Sequence, residues 1–274
     1  YNLRIFKEMI LNPGEKRNFA SSQSNGEYLC FIDDDAFPKS NWLTIANDNL
    51  NNNKILIGGP GILPSDDNFF SKVSNLFFCS LFLGSSKSRY LSLKSYQRKN
   101  FDAWPSVNMI IRKSEFMSIS GFNTKYWPGE DSKLCLKYIN DGGQIVYIPD
   151  LIVYHYRRSS FLKHFKQLFR YSYTRGIFFQ KGDINSRKII YMLPSVFLIY
   201  LFSLPFLFEY SLYLLPIISF IVLLIYDGFH SLKFEKNILT IFLSRFLIFL
   251  SLACYGFGFI FSFLKKNYYL GLGR

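Results

Sequence analysis

The last third of this chain consists mainly of apolar residues, which limits its possible folds more than any other feature. Residues 189–208 carry no charge, a second apolar run covers residues 210–226, and a third covers residues 238–264. About 20 apolar residues in a helix cross the ~30 Å hydrocarbon core of a bilayer. The sequence therefore predicts a transmembrane region at residues 189–274 with about three hydrophobic segments. Three buried helices of a soluble protein are the alternative.

Charge is distributed unevenly, and its position is more informative than its sum. The 274-residue chain has a net charge of +13, which alone would also suggest a nucleic-acid partner. Residues 157–188 hold nine Lys and Arg against one Asp, whereas residues 1–156 hold 17 against 15. A basic segment before an apolar span indicates the cytosolic side of a membrane. We therefore expect a multi-pass protein of the cytoplasmic (inner) membrane, with residues 1–156 facing the cytosol and no nucleic acid bound.

The third apolar segment is harder to orient. If it spans the membrane, Lys265, Lys266 and Arg274 lie outside, which the positive-inside rule disfavours. Either the segment is re-entrant, as Arg245 within it suggests, or the chain continues beyond Arg274.

The basic stretch at residues 157–188 predicts an interfacial helix or linker. Its apolar residues recur at helical spacing opposite basic ones: Phe161, Leu162, Phe165, Leu168 and Phe169 against Lys163, Lys166 and Arg170. The alternative is a helix that faces the core of the soluble domain. Residues 69–103 are assigned to the acceptor side. Their apolar part is a helix lying either against the bilayer or on the sheet.

Residues 1–156 alternate between strand and helix patterns. Strands are predicted at residues 3–8, 27–33, 54–62, 106–113 and 144–149, with helices at 15–24, 38–50 and 132–141. This alternation predicts an α/β domain with a largely parallel sheet. The chain opens inside a strand, so we expect the first strand or strands to be missing. Four cysteines without CxxC spacing argue against a disulfide framework or a zinc ribbon.

Three short patterns carry candidate chemistry. Asp33, Asp34 and Asp35 directly follow a predicted strand, and a hard cation such as Mg²⁺ or Mn²⁺ would offset their mutual repulsion. An acidic loop before a helix is the alternative. Asp131 begins a predicted helix, either as a general base or as a plain N-cap. His155 precedes two arginines, which suits a metal and a diphosphate or a juxtamembrane basic patch.

Taken in order, five motifs resemble the family 2 glycosyltransferases with a GT-A fold. They are GEKRN at 14–18, EYLCFIDDDAFP at 27–38, WPSVNMIIRKSEF at 104–116, GEDSKLCLKY at 129–138 and IVYIPDLIVYHYRR at 145–158. The resemblance covers residues 3–176. It implies a Rossmann-like GT-A domain with a mixed sheet at residues 1–156, followed by an α-helical membrane domain.

The resemblance also implies roles for individual residues in an inverting sugar transfer from a nucleotide-diphosphate sugar. Asp131 corresponds to the general base, and Glu130 is the second candidate. The remaining positions correspond to metal ligands (Asp35, Asp33 and His155, for Mg²⁺ or Mn²⁺) and to contacts with the nucleotide or its diphosphate (Arg17, Asn18, Asp33 and Arg158).

The expected function is that of a membrane-bound glycosyltransferase that acts on a lipid-linked or polysaccharide acceptor in cell-surface glycan biosynthesis. The alternative is an inactive or truncated homologue that serves as a membrane scaffold in a glycan assembly complex. A processive synthase is disfavoured because the chain has no QxxRW motif. The sequence indicates no oligomeric state.

Overall fold

A computed structural model describes residues 3–6, 12–50, 54–96, 100–184 and 186–265 of the chain. The chain forms two compact units. The first combines Tyr1–Pro64 with Ser85–Tyr156, and the second combines Ser65–Gly84 with Arg157–Arg274.

The strands within the described residues all belong to the first unit. They are β1 (Tyr28–Ile32), β2 (Ala36–Pro38), β3 (Ile55–Gly58), β4 (Gly61–Ile62), β5 (Asn108–Arg112), β6 (Gln144–Tyr147) and β7 (Val153–His155). They form a four-stranded sheet in the order β1-β5-β3-β6 and a three-stranded sheet in the order β2-β7-β4.

The prediction of a largely parallel sheet is wrong. Only the β3–β6 and β4–β7 pairs are parallel, and β5 runs antiparallel to both of its neighbours, β1 and β3. The prediction assumed a helical crossover before each strand. Instead, β5 follows a long connection that contains a helix at Phe69–Phe78 and two 3₁₀ helices, and it enters between β1 and β3 in the opposite direction. Leu3–Phe6 form no strand, and the other two residues of that predicted strand lie outside the described residues.

The helices divide between the two units. The first unit contains α1 (Pro13–Gln23), α2 (Trp42–Asn49), α4 (Lys113–Ser118) and α5 (Glu130–Asn140), and the second contains α3 (Phe69–Phe78), α6 (Phe161–Gln180), α7 (Leu193–Leu207), α8 (Leu215–Ser231) and α9 (Ile238–Leu264). Short 3₁₀ helices lie at Leu81–Arg89, Lys94–Tyr96, Ile189–Tyr191 and Ser211–Leu214.

The four-stranded sheet has a hydrophobic core on each face. Successive strand residues point to opposite faces, so Met109 and Ile111 pack with Leu134 of α5, whereas Ile110 packs with Trp42 of α2. The backbone after β3 passes very close to a neighbouring loop. A Cβ on Gly59 would lie 1.8 Å from the Leu151 carbonyl oxygen, so only glycine fits there.

In the second unit, α9 packs against α3, α6, α7 and α8. Small residues bring α6 and α9 close together: a Cβ on Gly258 would lie 2.1 Å from Ser172 Oγ, and one on Gly176 would lie 2.0 Å from Ser262 Oγ. Such contacts are typical of helices packed in membranes. The sequence left open whether the apolar helix α3 lies against the bilayer or on the sheet. In the structure it packs against α9.

The buried residues of α6 coincide only in part with the apolar residues that the sequence picks out. The buried set is His164, Leu168, Ser172, Tyr173, Gly176 and Phe178. Of the five predicted apolar residues, Leu168 belongs to this set, Phe165 and Phe169 are half-buried, and Phe161 and Leu162 are 42% and 82% exposed. Ser172 and Gly176 allow the close approach of α9, which hydrophobicity alone does not indicate. The interfacial location of α6 stays a prediction.

Two helical segments of the described chain, Ser211–Ser231 and Ile238–Leu264, are long and apolar enough to cross a membrane, judged by length and composition. The apolar helix α7 is shorter, at 15 residues. Arg245 of α9 is buried, where it donates hydrogen bonds to Asp227 of α8, to Ser231 Oγ at 3.0 Å and to the Leu76 carbonyl oxygen at 3.3 Å. This pairing explains how a charged residue fits into an apolar helix, so Arg245 does not by itself require a re-entrant segment. The topology of the third apolar segment stays a prediction.

Candidate active site

The acidic turn after β1 lies beside the end of β7. The Asp33 carbonyl accepts a hydrogen bond from the Ala36 amide at 3.1 Å, and the antiparallel β2–β7 pair sets Ala36 opposite His155. Consequently His155 Nε2 lies 3.2 Å from Asp35 Oδ1. One potential ligand atom from each of Asp33, Asp35 and His155 lies within 4.8 Å of the others.

This cluster has the composition of a divalent-metal site. Two carboxylates suit a hard cation such as Mg²⁺ or Mn²⁺, and imidazole is a common nitrogen ligand. All three side chains are partly buried, whereas Asp34 is exposed and is not a member of the cluster. The donor atoms therefore fit a divalent cation. Asp33 and Asp35 lie in the turn between β1 and β2, and His155 lies at the end of β7, far along the chain.

Arg17 of α1 connects this cluster to a second acidic group. Asn12 caps the helix by accepting a hydrogen bond from the Gly14 amide at 2.8 Å, which fixes the start of the helix that carries Arg17. Arg17 Nη2 donates to Asp33 Oδ1 at 2.7 Å, and Nη1 donates to Glu130 Oε1 at 3.1 Å. Burial lowers the pKa of Arg17, but the surrounding carboxylates outweigh it and the pKa is raised.

Asn18 has a different set of partners from its neighbour. Its side-chain amide donates to the Phe122 carbonyl at 2.9 Å, and its oxygen accepts from the Phe122 amide at 2.9 Å. The preceding Gly121 has a φ of +58°, and a Cβ there would lie 2.5 Å from Asn18 Oδ1. Asn18 thus holds a tight turn against α1, and its contact with a nucleotide stays a prediction.

Glu130 lies buried at the N-terminus of α5. Its Oε2 accepts a hydrogen bond from the Gly129 amide at 3.0 Å, and its Oε1 accepts the Arg17 bond. Burial, together with the negative charge of the neighbouring Asp131, raises the pKa of Glu130 to about 7. Arg17 and the backbone amides offset only part of this effect. Because Glu130 and Asp131 are neighbours, the charge of one affects the pKa of the other.

The two oxygens of Asp131 have different surroundings. Its Oδ2 accepts a hydrogen bond from the Ser106 amide at 3.2 Å. Its Oδ1 is shut off from solvent and has no hydrogen-bond partner among the residues that the structure describes. Burial raises the pKa of Asp131, although Arg17 and Ser106 act in the opposite direction. A buried carboxylate oxygen without a donor is a strong proton acceptor.

The loop that supports Asp131 contains residues to which the sequence reasoning gave no role. The Trp104 amide donates to Cys135 Sγ at 3.2 Å, and Cys135 lies one helical turn after Asp131. The fully buried Asn108 accepts from Trp42 Nε1 at 3.0 Å and donates to the Leu151 carbonyl at 2.6 Å. The sequence does contain a signal for these residues. Polar residues inside the apolar segment at 104–111 indicate buried hydrogen bonds, because buried polar groups require partners.

The structure brings most of the predicted site residues together in the first unit. They are Arg17, Asp33, Asp35, Glu130, Asp131 and His155, with Asn18 bracing the turn beside Arg17. Arg158 belongs to the second unit, and its contact with the diphosphate stays a prediction. A candidate metal cluster linked by one guanidinium to two carboxylates at a helix N-terminus defines a site suited to nucleotide-sugar chemistry.

Comparison with known proteins identifies the family and the fold of the chain. Residues 28–263 match the model of the family described as Glycosyl transferase family group 2, and the chain belongs to that family. Its fold is GT-A. A solved structure, the mannosyltransferase PcManGT from Pyrobaculum calidifontis in complex with GDP-Man and Mn²⁺, is similar with a TM-score of 0.50 and 12% identity, covering 93% of this chain and 67% of that one.

Two curated relatives are also similar. A dolichyl N-acetyl-alpha-D-glucosaminyl phosphate 3-beta-D-2,3-diacetamido-2,3-dideoxy-beta-D-glucuronosyltransferase of Methanococcus voltae is 23% identical over 210 residues, which cover 73% of this chain and 63% of the relative. A pre-mycofactocin glycosyltransferase of Mycobacterium tuberculosis is 26% identical over 151 residues, 54% of this chain and 30% of the relative. The chain thus spans less than two thirds of the length of either relative.

Proposed function

We propose that this protein is a membrane-associated inverting glycosyltransferase. It transfers a sugar from a nucleotide-diphosphate sugar to a lipid-linked or glycan acceptor in cell-surface glycan biosynthesis. The observation that carries the proposal is the double contact of Arg17, which joins the Asp33, Asp35 and His155 cluster to the carboxylates at the start of α5. Family membership supports the same reaction class.

The donor side of the site consists of the metal cluster and its cationic neighbours. Asp33, Asp35 and His155 would hold Mg²⁺ or Mn²⁺, which, when bound, neutralises the departing diphosphate as a Lewis acid. Arg17 lies at 2.7 Å from Asp33 and supplies further positive charge on this side. Arg158 and Asn18 are the remaining candidates for contacts with the nucleotide.

The acceptor side consists of the carboxylates of α5. Asp131 is the base that accepts the proton of the acceptor hydroxyl, while the Ser106 amide holds Oδ2 and fixes the orientation of the carboxylate. The deprotonated hydroxyl then attacks the anomeric carbon from the face opposite the diphosphate, which inverts the configuration. Glu130 is the second candidate base, but Arg17 and the Gly129 amide already occupy its two oxygens.

A lipid-linked acceptor and an inner-membrane location fit two further observations. Two segments of the described chain are long and apolar enough to cross a membrane. The name of the relative from Methanococcus voltae describes transfer to a dolichyl-linked sugar phosphate. We place the catalytic unit on the cytosolic side because the basic excess at residues 157–188 precedes the first apolar segment.

The raised pKa values predict a dependence of transfer on pH. The base works in its ionised form, so protonation inactivates it, and a raised pKa moves this loss toward neutral pH. With saturating donor and Mn²⁺, we expect kcat to fall up to tenfold per pH unit on the acid side of the profile, and this fall should begin at a higher pH than the ordinary pKa of an aspartate would give. Glu130→Gln should shift this acid limb to lower pH without removing it. If the acid limb disappears in Glu130→Gln, Glu130 is the base and not Asp131. Glu27→Gln, which removes a carboxylate far from the site, should leave the pH profile unchanged.

Calorimetry tests the proposed function directly. Uridine and guanosine diphosphates are titrated into the detergent-solubilised protein with and without Mn²⁺. Binding that requires Mn²⁺ and is lost in Asp35→Ala establishes the donor site. The nucleotide that binds more tightly then indicates which nucleobase the donor carries. Absence of binding of both nucleotides at millimolar concentration favours the alternative of an inactive scaffold in a glycan assembly complex.

A further inference from the structure

Arg17 and a bound metal ion need the same carboxylate. The guanidinium is 21% exposed, and its two terminal nitrogens already hold two different acids, Asp33 at 2.7 Å and Glu130 at 3.1 Å. Asp33 is also one of the three residues whose ligand atoms converge within 4.8 Å. A divalent cation in that cluster would therefore lie beside a guanidinium on the same carboxylate. A cation and a guanidinium that share one carboxylate repel each other, and this repulsion is stronger in a partly buried site than in water.

We propose that Arg17 and the divalent cation compete for Asp33. In the metal-free protein Arg17 bridges Asp33 and Glu130 and so links the acidic turn to α5. When the cation binds, Arg17 gives up Asp33 and keeps Glu130. Arg17 is thus a positioning residue that couples occupancy of the metal cluster to the carboxylates of α5. This inference rests on the proposed function, because it assumes that Asp33, Asp35 and His155 bind the metal.

The surroundings of Arg17 favour such an exchange over permanent attachment. Its guanidinium lies 5.5 Å from the ring centroid of Phe122, which supports the cation from one side whichever carboxylate it binds. Asp131 lies close enough to raise the pKa of Arg17. Loss of the Asp33 bond therefore leaves the guanidinium with Glu130, Asp131 and an aromatic face, not with an empty apolar pocket.

The competition predicts the direction in which the Mn²⁺ affinity changes when Arg17 is replaced. Removing Arg17 should tighten binding of Mn²⁺ alone, whereas a purely supporting residue would weaken it or leave it unchanged. We expect Arg17→Gln to bind Mn²⁺ roughly tenfold more tightly than the wild type, the equivalent of one charge-assisted hydrogen bond. The measurement is electron paramagnetic resonance of free Mn²⁺ during titration of the full chain in detergent, without nucleotide. Lys16→Gln, an exposed neighbour in the same helix, removes the same charge as a control.

Reference variants separate the two proposals. If Asp35→Ala binds Mn²⁺ as the wild type does, the metal site itself is wrong and the proposed function loses its donor side. If Asp35→Ala loses binding but Arg17→Gln matches or falls below the wild type, the site stands and the competition is overturned. Equal tightening by Lys16→Gln also overturns it, because a general charge effect would then suffice.

Folding of the variant is controlled by a second substitution and a second readout. Arg17→Lys keeps the charge but reaches one carboxylate only, so its Mn²⁺ affinity should lie between those of the wild type and Arg17→Gln. An Arg17→Lys affinity tighter than that of Arg17→Gln contradicts the competition. In thermal melts, Arg17→Gln should start lower without metal, and Mn²⁺ should raise its melting temperature more than that of the wild type. An equal rise in both proteins contradicts the proposal as well.

Discussion

Replacement of Asp131 by Asn is expected to lower the rate of sugar transfer by roughly 10²–10⁴-fold, the usual contribution of a positioned general base. The amide keeps the size of the carboxylate and can still accept the Ser106 hydrogen bond, so the loop and α5 remain in place. Binding of donor and Mn²⁺ should stay within several-fold of the wild type. Turnover with a defined acceptor and calorimetry of the nucleotide measure the two quantities separately.

The same substitution should stabilise the protein above neutral pH. An acid whose pKa is raised in the folded state favours folding below its unfolded pKa, and this contribution is lost as the pH rises through the folded pKa. At pH 8 the buried carboxylate is therefore a cost that Asn removes, and Asp131→Asn should melt higher than the wild type. Asp141→Asn, at the other end of α5, is the matched control. Loss of both activity and stability would mean that Asp131 is only a structural cap.

Local sequence features predicted much of the first unit. The apolar strand before Asp33 and the glycine-ended helix at 132–141 were found because their patterns depend on near neighbours in the chain. The direction of β5 was not found, because it is set by the strand's partners on both sides, which are distant in the chain. For the same reason the sequence could not assign α3 to the second unit, where it packs against α9.

The candidate site shows the same division. The carboxylates at Asp33, Asp35 and Asp131 stood out because acidic residues followed a strand or began a helix. Ser106 did not, since its contribution is a backbone amide, which every residue except proline possesses. The double contact of Arg17 was also beyond reach, because its partners lie 16 and 113 residues away in the chain.

The packing of α6 depends on more than its hydrophobicity pattern. Leu168 of the predicted apolar set is buried, but so are Ser172 and Gly176, which that pattern does not include, while Leu162 is exposed. Small side chains lie where two helices approach closely, and hydrophobicity does not identify them. The interfacial location of α6 stays a prediction.

Asp35→Ala should abolish metal-dependent binding of the donor nucleotide. Asp35 and His155 are 3.2 Å apart, and both converge with Asp33, so removal of Asp35 leaves one carboxylate and one imidazole for the cation. Each lost ligand of a divalent metal typically costs an order of magnitude or more in affinity, and we expect at least about 100-fold weaker Mn²⁺-dependent nucleotide binding by calorimetry. Transfer should fall in parallel, because the diphosphate would depart without the positive charge that neutralises it.

The acidic run contains its own control for this experiment. Asp34 lies between the two candidate ligands, is exposed and is not a member of the cluster, so Asp34→Ala removes the same charge from the same turn. It should bind Mn²⁺ and nucleotide within several-fold of the wild type. If Asp34→Ala and Asp35→Ala weaken binding equally, net charge in the turn and not ligation explains the effect. If Asp35→Ala changes only the melting temperature, the carboxylates shape the turn between β1 and β2, and the metal must be sought elsewhere.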